Sequence, residues 1–375
     1  MIAAMETVAA IYHLKSTAHE IASRASDLAL EQSVEMPAEA IRSDYVRRHT
    51  LAKVADITEI DSGTFRVTLN LAAATTGFET GQLMNMLFGN CSLQDDVTLV
   101  DAEFPESLLR AFSGPRFGVA GIRRRLGVFD RALTCTALKP QGLTPAELAS
   151  LCATFARAGI DVIKDDHGLA DQSYAPFAAR VRACQQALDA VARETAHRAS
   201  YAPSLSGGPK ALREQLKIVD GEGVPMVLAA PMVMGLPVFH ELVGDTLRVP
   251  VLAHPALSGA LRIAPPLFYG KLFRLFGADA VIFPNFGGRF SFTREICSAL
   301  VSAARAPLGE CLTALPVPAG GMSVERVPEM IEAYGLDTML LIGGGLLSAG
   351  DALLARSQAF VATVAASSHD QAQVA

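Results

Sequence analysis

The sequence predicts an α/β chain of two domains. An N-terminal α+β ferredoxin-like domain spans residues 1–125, and a C-terminal (β/α)8 TIM barrel that carries the active site spans residues 126–375. Three observations predict this. From Leu133 onward, short apolar segments alternate with helical ones eight times over about 240 residues, the size of a (β/α)8 barrel. The residues before that lack this alternation and instead combine period-two strands with two helices. Two of the apolar segments end in a lysine, and the catalytic groups of barrels collect at strand C-termini.

In the first domain, residues 7–14 are strand-like, and residues 19–33 are helical with alanines and leucines on one face. Residues 50–57 and 64–71 alternate as paired strands, 80–88 is a second helix, and 96–104 is a further strand. The barrel opens with the apolar strand from Leu133, which ends at Lys139 in a Pro/Gly turn. Thr144 then caps a helix beginning Pro145-Ala146-Glu147. The second strand carries Ile160, Val162 and Ile163, and runs into Lys164-Asp165-Asp166-His167. Later strands fall at 197–203, 225–230, 250–253, 280–283, 313–318 and 339–342. Helices between strands include 147–158, 174–193 and 209–220. A doubly wound dinucleotide fold would need a phosphate fingerprint after its first strand, and Leu138-Lys139-Pro140-Gln141-Gly142 is not one. Residues 363–375 are small and polar, and are predicted to be disordered.

At 375 residues and 50% hydrophobic composition, the chain can bury a large core and more than one domain. The net charge is −6, and the longest basic run is Arg123-Arg124-Arg125, so no nucleic-acid partner is expected. Six cysteines without Cys-x-x-Cys spacing point to a reducing, cytoplasmic compartment and away from zinc ribbons. No apolar stretch has the length of a membrane span, and the first thirty residues carry scattered charge rather than a signal-peptide core. No membrane partner is expected.

A lysine at a strand end beside two acids suits two jobs. It is a Schiff-base amine, or it takes up CO2 and becomes an oxygen ligand for a hard divalent metal. The plain alternative is a surface Lys-Asp-Asp turn. Successive residues of a strand face opposite ways, so only one of Asp165 and Asp166 can join Lys164. Lys139, at the neighbouring strand end, is a candidate for proton transfer. His254 in Leu252-Ala253-His254-Pro255 also ends a strand and should face the barrel mouth, whereas His13, His19, His49, His197, His240 and His369 sit in ordinary contexts. Gly320-Gly321 and Gly343-Gly344 follow the seventh and eighth strands, where converging backbone amides hold phosphate in barrels.

With these residues the chain resembles the RuBisCO large-chain superfamily over nearly its whole length. Lys139-Pro140 is similar to the family's catalytic lysine motif, and Lys164-Asp165-Asp166 to its carbamylated-lysine and metal-ligand motif. Glu31-Gln32-Ser33 and Gly89-Asn90 resemble the segments whose glutamate and asparagine reach into the partner subunit's active site. Gly114-Pro115 with Phe117-Gly118 resembles the link before the barrel. His254 matches a catalytic histidine, and Gly287-Gly288-Arg289 falls where the flexible sixth loop carries a lysine. The resemblance implies a homodimer with shared active sites, in which Glu31 and Asn90 of one chain complete the other's barrel mouth. It also implies Mg2+ held by Lys164, as its CO2 carbamate, with Asp166 and the residue at position 167.

The departures are as informative. The family's second lysine is missing from Pro140-Gln141-Gly142-Leu143, which is also one residue shorter. His167 replaces a glutamate ligand, Pro255 an arginine, Arg289 the loop lysine and Ala319 a serine. The sixth-strand histidine is absent, with Ile282 its nearest counterpart. These losses resemble a RuBisCO-like protein (form IV) that does not fix CO2. A carbamate and a carboxylate suit Mg2+. Imidazole suits softer ions such as Zn2+, Mn2+ or Fe2+, so His167 shifts the metal preference or serves as a proton carrier, or metal binding is lost. One phosphate site keeps its glycines while the other loses its arginine, histidine and serine. Burying an unpaired phosphate is costly, so the expected substrate is a small keto sugar or sugar acid with one phosphate. The reaction expected first, through a metal-stabilised enediolate, is decarboxylation of a β-keto sugar-acid phosphate. Tautomerisation or isomerisation (enolase chemistry) of a diketo or ketose phosphate, as in methionine salvage, comes second. A non-catalytic sugar-phosphate-binding barrel is the alternative of another class. The retained Lys139, Lys164 and Asp166 speak against it.

Overall fold

Alternating apolar residues fold the N-terminal domain around a four-stranded antiparallel sheet of order β2-β3-β1-β4. Its strands are β1 Thr7–Lys15, β2 Lys53–Asp61, β3 Thr64–Ala72 and β4 Val97–Glu103 in the computed structural model, which describes residues 6–374. Val8, Ala10, Tyr12 and Leu14 of β1 share one core with Phe65, Val67, Leu69 and Leu71 of β3. Helices Ile21–Glu31 and Thr80–Phe88 add Ala25, Leu28, Leu83 and Leu87 to it. The order β-α-β-β-α-β is ferredoxin-like, as expected.

The barrel strands are β5 Leu133–Leu138, β6 Val162–Asp165, β7 Ser200–Ala202, β8 Ser204–Leu205, β9 Val227–Ala229, β10 Val251–Ala253, β11 Ala280–Pro284, β12 Leu315–Ala319 and β13 Met339–Leu341. β7 and β8 are one barrel strand interrupted at Pro203, which has no N–H for the ladder. Its carbonyl still accepts from the Leu228 N–H at 2.9 Å. Parallel ladders run β13-β5-β6-β7 and β8-β9-β10-β11-β12, and β13 packs beside β12 to close the ring. The helices predicted between strands form at Pro145–Arg157, Phe177–Thr195 and Pro209–Gly221. Thr144 caps the first of these through a reciprocal capping box with Glu147.

Leu133, Cys135, Val162, Leu228, Leu252, Ile282, Val317 and Leu341 fill the barrel interior. The helix Gly118–Leu126 closes its floor by inserting Val119 and Ile122 among them. Asp279, at the foot of β11, fixes where this helix starts by accepting the N–H groups of Phe117 at 2.6 Å and Gly118 at 2.9 Å. Gly118 has φ +56°, and the Thr313 carbonyl oxygen lies 2.6 Å from where a Cβ would sit, so the position needs glycine. Residue 125, the expected end of the first domain, lies within this helix. We place the helix with the barrel.

One expectation is overturned. The tail predicted to be disordered is part of the helix Leu353–Val374. Phe360, Val364 and Ser368 are fully buried, and the Ser368 hydroxyl accepts the Ala132 N–H at 3.1 Å. Alanine-rich sequence favours helix, and a few anchoring contacts at helical spacing suffice to dock it.

The two domains are stitched together. Leu99 of β4 forms a parallel bridge with Ile263 of the loop after β10. Arg262 in that loop donates to the carbonyls of Ser92, Gln94 and Val97. Lys271 reaches Asp101 at 2.6 Å.

Candidate active site

Period-two alternation explains which side chains line the mouth. Leu133 and Cys135 face the interior, and Lys139 follows in the same phase. Val162 faces in, so Lys164 does too, and Leu252 puts His254 in phase. The same phase on the remaining strands gives Ser204, Ala230, Pro284, Ala319 and Gly343. The two lysines therefore end neighbouring strands, and apart from Ser204 and His254 small or apolar residues line the rest of the mouth.

Asp165 takes the opposite face from Lys164, as the alternation predicts. It is fully buried and accepts from Arg180 Nε at 3.0 Å, the Tyr201 hydroxyl at 2.7 Å and the Ser204 N–H at 3.0 Å. Arg180, also fully buried, donates to the carbonyls of Ala170 and Ala175, which pins the turn after β6. Burial nevertheless pushes the Asp165 carboxyl up.

Asp166 meets the Lys139 ammonium in an ion pair. Burial pulls its pKa up, but hydrogen bonds from Lys139 and the Gly168 N–H and the two lysine charges win, holding it at about 2. Lys164 is 3% exposed, and its amine donates to the Asp165 carbonyl at 2.9 Å. Burial lowers its pKa against the pull of nearby acids. His254 stacks on His167 with ring centroids 4.1 Å apart and planes 10° apart. Burial, aided by Lys164 and His167, pushes His254 down to about 2, so its ring is neutral. His167 is lowered by burial against the pull of Asp166, with Arg289 among the cations that lower it further.

Lys139 Cε lies 3.9 Å from where a Gly343 Cβ would sit, so the eighth-strand turn flanks the lysine. Around Gly344 there is open space. Gly320 and Gly321 have φ +79° and +70°. A Cβ on Gly321 would come 2.3 Å from the Gly288 Cα, so close packing of the sixth and seventh loops already demands glycine there. Arg289 is exposed, its guanidinium 5.0 Å from the Phe290 ring centroid. Glu31 and Asn90 come together in the N-terminal domain, where the Asn90 amide donates to Glu31 and Glu35, each at 2.9 Å.

Sequence reading missed Glu35, Arg180 and Tyr201, because their partners are set by the fold rather than by neighbours in the chain. It also missed a small cleft beside His167, lined by Ser204, Ser206, Ala230, Val233, Met234 and Ala256.

The donors fit a divalent metal on one condition. Among the described residues no three His, Cys, Asp or Glu side chains converge, so a further donor beside Asp166 has to come from Lys164. Its amine, shifted towards the neutral form, is the species that reacts with CO2. Asp166 Oδ2 is buried and faces the Lys139 ammonium.

Comparison with known proteins agrees with this geometry. Residues 118–237 match the family described as ribulose bisphosphate carboxylase large chain, catalytic domain. A 5-methylthioribulose-1-phosphate isomerase from Rhodospirillum rubrum is 52% identical, covering 95% of this chain and 96% of its own. A 2,3-diketo-5-methylthiopentyl-1-phosphate enolase from Geobacillus thermodenitrificans is 33% identical, covering 96% of this chain and 92% of its own. The crystal structure of a Rubisco-like protein from Rhodopseudomonas palustris superposes with a TM-score of 0.90 at 47% identity, covering 96% of this chain and 98% of that one. The chain belongs to the RuBisCO large-chain family, as an enzyme of its RuBisCO-like, form IV branch.

Proposed function

We propose that the chain isomerises a small ketose monophosphate by proton transfer next to its carbonyl, with 5-methylthioribulose 1-phosphate the first candidate. The observation that carries this reading is the convergence on the mouth of Lys139 paired with Asp166, buried Lys164 on the next strand, and neutral His254, whose ring stacks on His167 in the turn after Lys164. Lys139 takes a proton from the carbon beside the carbonyl and returns one to the former carbonyl carbon, so the substrate's atoms are conserved. His254, uncharged, donates an N–H to a substrate oxygen. Mg2+, held by a carbamate on Lys164 and by Asp166, would polarise the carbonyl oxygen. Gly320, Gly321, Gly343 and Gly344 hold the single phosphate, and Arg289 adds positive charge above them. A second copy of the chain lends Glu31 and Asn90. All six cysteines are free, which fits work in the cytoplasm.

Isomerisation takes the place of decarboxylation as first choice because the relatives whose names give a reaction are an isomerase and an enolase. Enolisation of a diketo phosphate is the second reading, supported by the relative at 33% identity. The test is to incubate the protein with each phosphate in D2O and follow products by proton and phosphorus NMR. The expected outcome is a new ketose phosphate carrying solvent deuterium on carbon. Absence of exchange with both compounds would overturn the reading, and CO2 release from a β-keto sugar-acid phosphate would restore the decarboxylase.

A further inference from the structure

Position 167 is where the chain departs from its family at the metal site, and its geometry shows two faces. The edge of the His167 ring looks toward Asp166, with Nδ1 3.4 Å from Oδ1, too long for a hydrogen bond. The flat of the ring lies on His254 at 4.1 Å and 10°. The turn carrying His167 is fixed, since the Gly168 N–H donates to Asp166 Oδ1 at 3.0 Å and the Leu169 N–H to the Asp166 carbonyl at 3.0 Å. His254 in turn accepts the Ala256 N–H on Nδ1 at 3.1 Å. A neutral imidazole has one N–H, so that bond places it on Nε2. A ring held by a single such bond can swivel about its Cβ–Cγ bond, and a flip puts a carbon where Nδ1 accepts, which frees the tautomer. A second ring lying flat on it blocks the swivel.

We propose that His167 is a positioning residue whose ring face clamps His254 as the Nε2–H tautomer, and that its nitrogens do not ligate metal. This explains how an imidazole replaces a carboxylate here without a change of metal, because it is the face of the ring, not a nitrogen on its edge, that does the work. The proposal rests on His254 being the hydrogen-bond donor in the isomerisation argued above. Two of its readouts need no substrate.

The test uses three variants at position 167 of the full chain with bicarbonate present. His167→Phe keeps an aromatic face and removes both nitrogens, His167→Ala removes both features, and His167→Glu restores an oxygen ligand without a ring. Mn2+ affinity is measured by electron paramagnetic resonance. The His254 tautomer is read from imidazole nitrogen-15 NMR, with His254→Gln identifying the signals. His167→Phe should bind Mn2+ within a few-fold of the parent and keep the single Nε2–H pattern. His167→Ala should average the two nitrogen signals and lower kcat by about 10-fold or more at little-changed KM, the scale of a misplaced catalytic group. His167→Phe should recover most of that loss, and His167→Glu should not. A loss of Mn2+ affinity beyond ~10-fold in His167→Phe would make the nitrogen a ligand and overturn the proposal. Unaltered His254 signals in His167→Ala would overturn it too. If no phosphate is turned over, the metal and NMR readouts still decide, and only the isomerase reading fails.

Discussion

Lys139 and Lys164 are nearly identical in sequence context and opposite in environment. Lys139 is 40% exposed and paired to Asp166, whereas Lys164 is buried and driven toward the neutral amine. Replacing them should therefore do different things. Lys139→Ala should lower kcat by ~10²–10⁴-fold, the usual contribution of a positioned acid or base, while phosphate binding persists. Lys164→Ala should abolish any dependence on metal and bicarbonate, as read by activity after chelation and by calorimetric metal titration. Stability should also fall in acid, for two reasons of the same sign. His254 is depressed from 6.5 to about 2, so below pH 6.5 the unfolded chain binds a proton that the folded one refuses. Asp166 is depressed from 3.8 to about 2, so its ion-pair stabilisation is complete above pH 3.8 and disappears as pH falls through 2. Between pH 6 and 4, denaturant melts should show a slope of up to ~1.4 kcal/mol per pH unit, and His254→Gln should flatten it. An unchanged slope in that variant would place the acid sensitivity elsewhere. At this scale the sequence was readable where strand alternation decides, as for Lys139, Lys164, His254 and the split between Asp165 and Asp166. It was silent on Arg180 and Glu35, since nothing local marks a buried arginine or a second carboxylate beside Asn90.

The elements were legible in kind because periods of two and 3.6 are local properties. Both ferredoxin-like helices and every barrel strand formed within a few residues of the predicted ends. What escaped depends on docking. The tail helix draws its order from Phe360, Val364 and Ser368, and the floor helix from Val119 and Ile122 meeting strands that lie far along the chain. Ile122→Ala should cost ~2–5 kcal/mol in chemical denaturation, because the barrel floor cannot collapse around the void. The glycine turns differ in the same way. Gly321→Ala puts a Cβ against Gly288 in a left-handed backbone conformation, so it should displace the sixth loop with the seventh. Its expected signature is a raised KM with little loss of melting temperature. Gly344→Ala meets open space and should leave the loop geometry intact.

For the whole molecule, two expectations follow from the assembled mouth. Ribulose bisphosphate should not be carboxylated, since Pro255, Ala319 and Ile282 offer no charge for a second phosphate. Radiolabelled bicarbonate appearing in a three-carbon acid would refute this. Asn90 donates to both Glu31 and Glu35 within the N-terminal domain, and the proposed function has this cluster complete the barrel mouth of a second copy. A homodimer burying more than ~2,000 Å² is expected, and an active monomer in sedimentation at micromolar concentration would refute it. The stitching of β4 to the loop beyond His254 has a consequence for protein engineering and for descent alike. Because Arg262 and Ile263 belong to the barrel in sequence but to the N-terminal sheet in bonding, the barrel is not an interchangeable cassette. A chimaera joined at the domain boundary would sever hydrogen bonds that hold the histidine-bearing loop. A graft that transplants residues 255–271 together with the foreign N-terminal domain keeps them. Recombination among relatives should have respected the same seam.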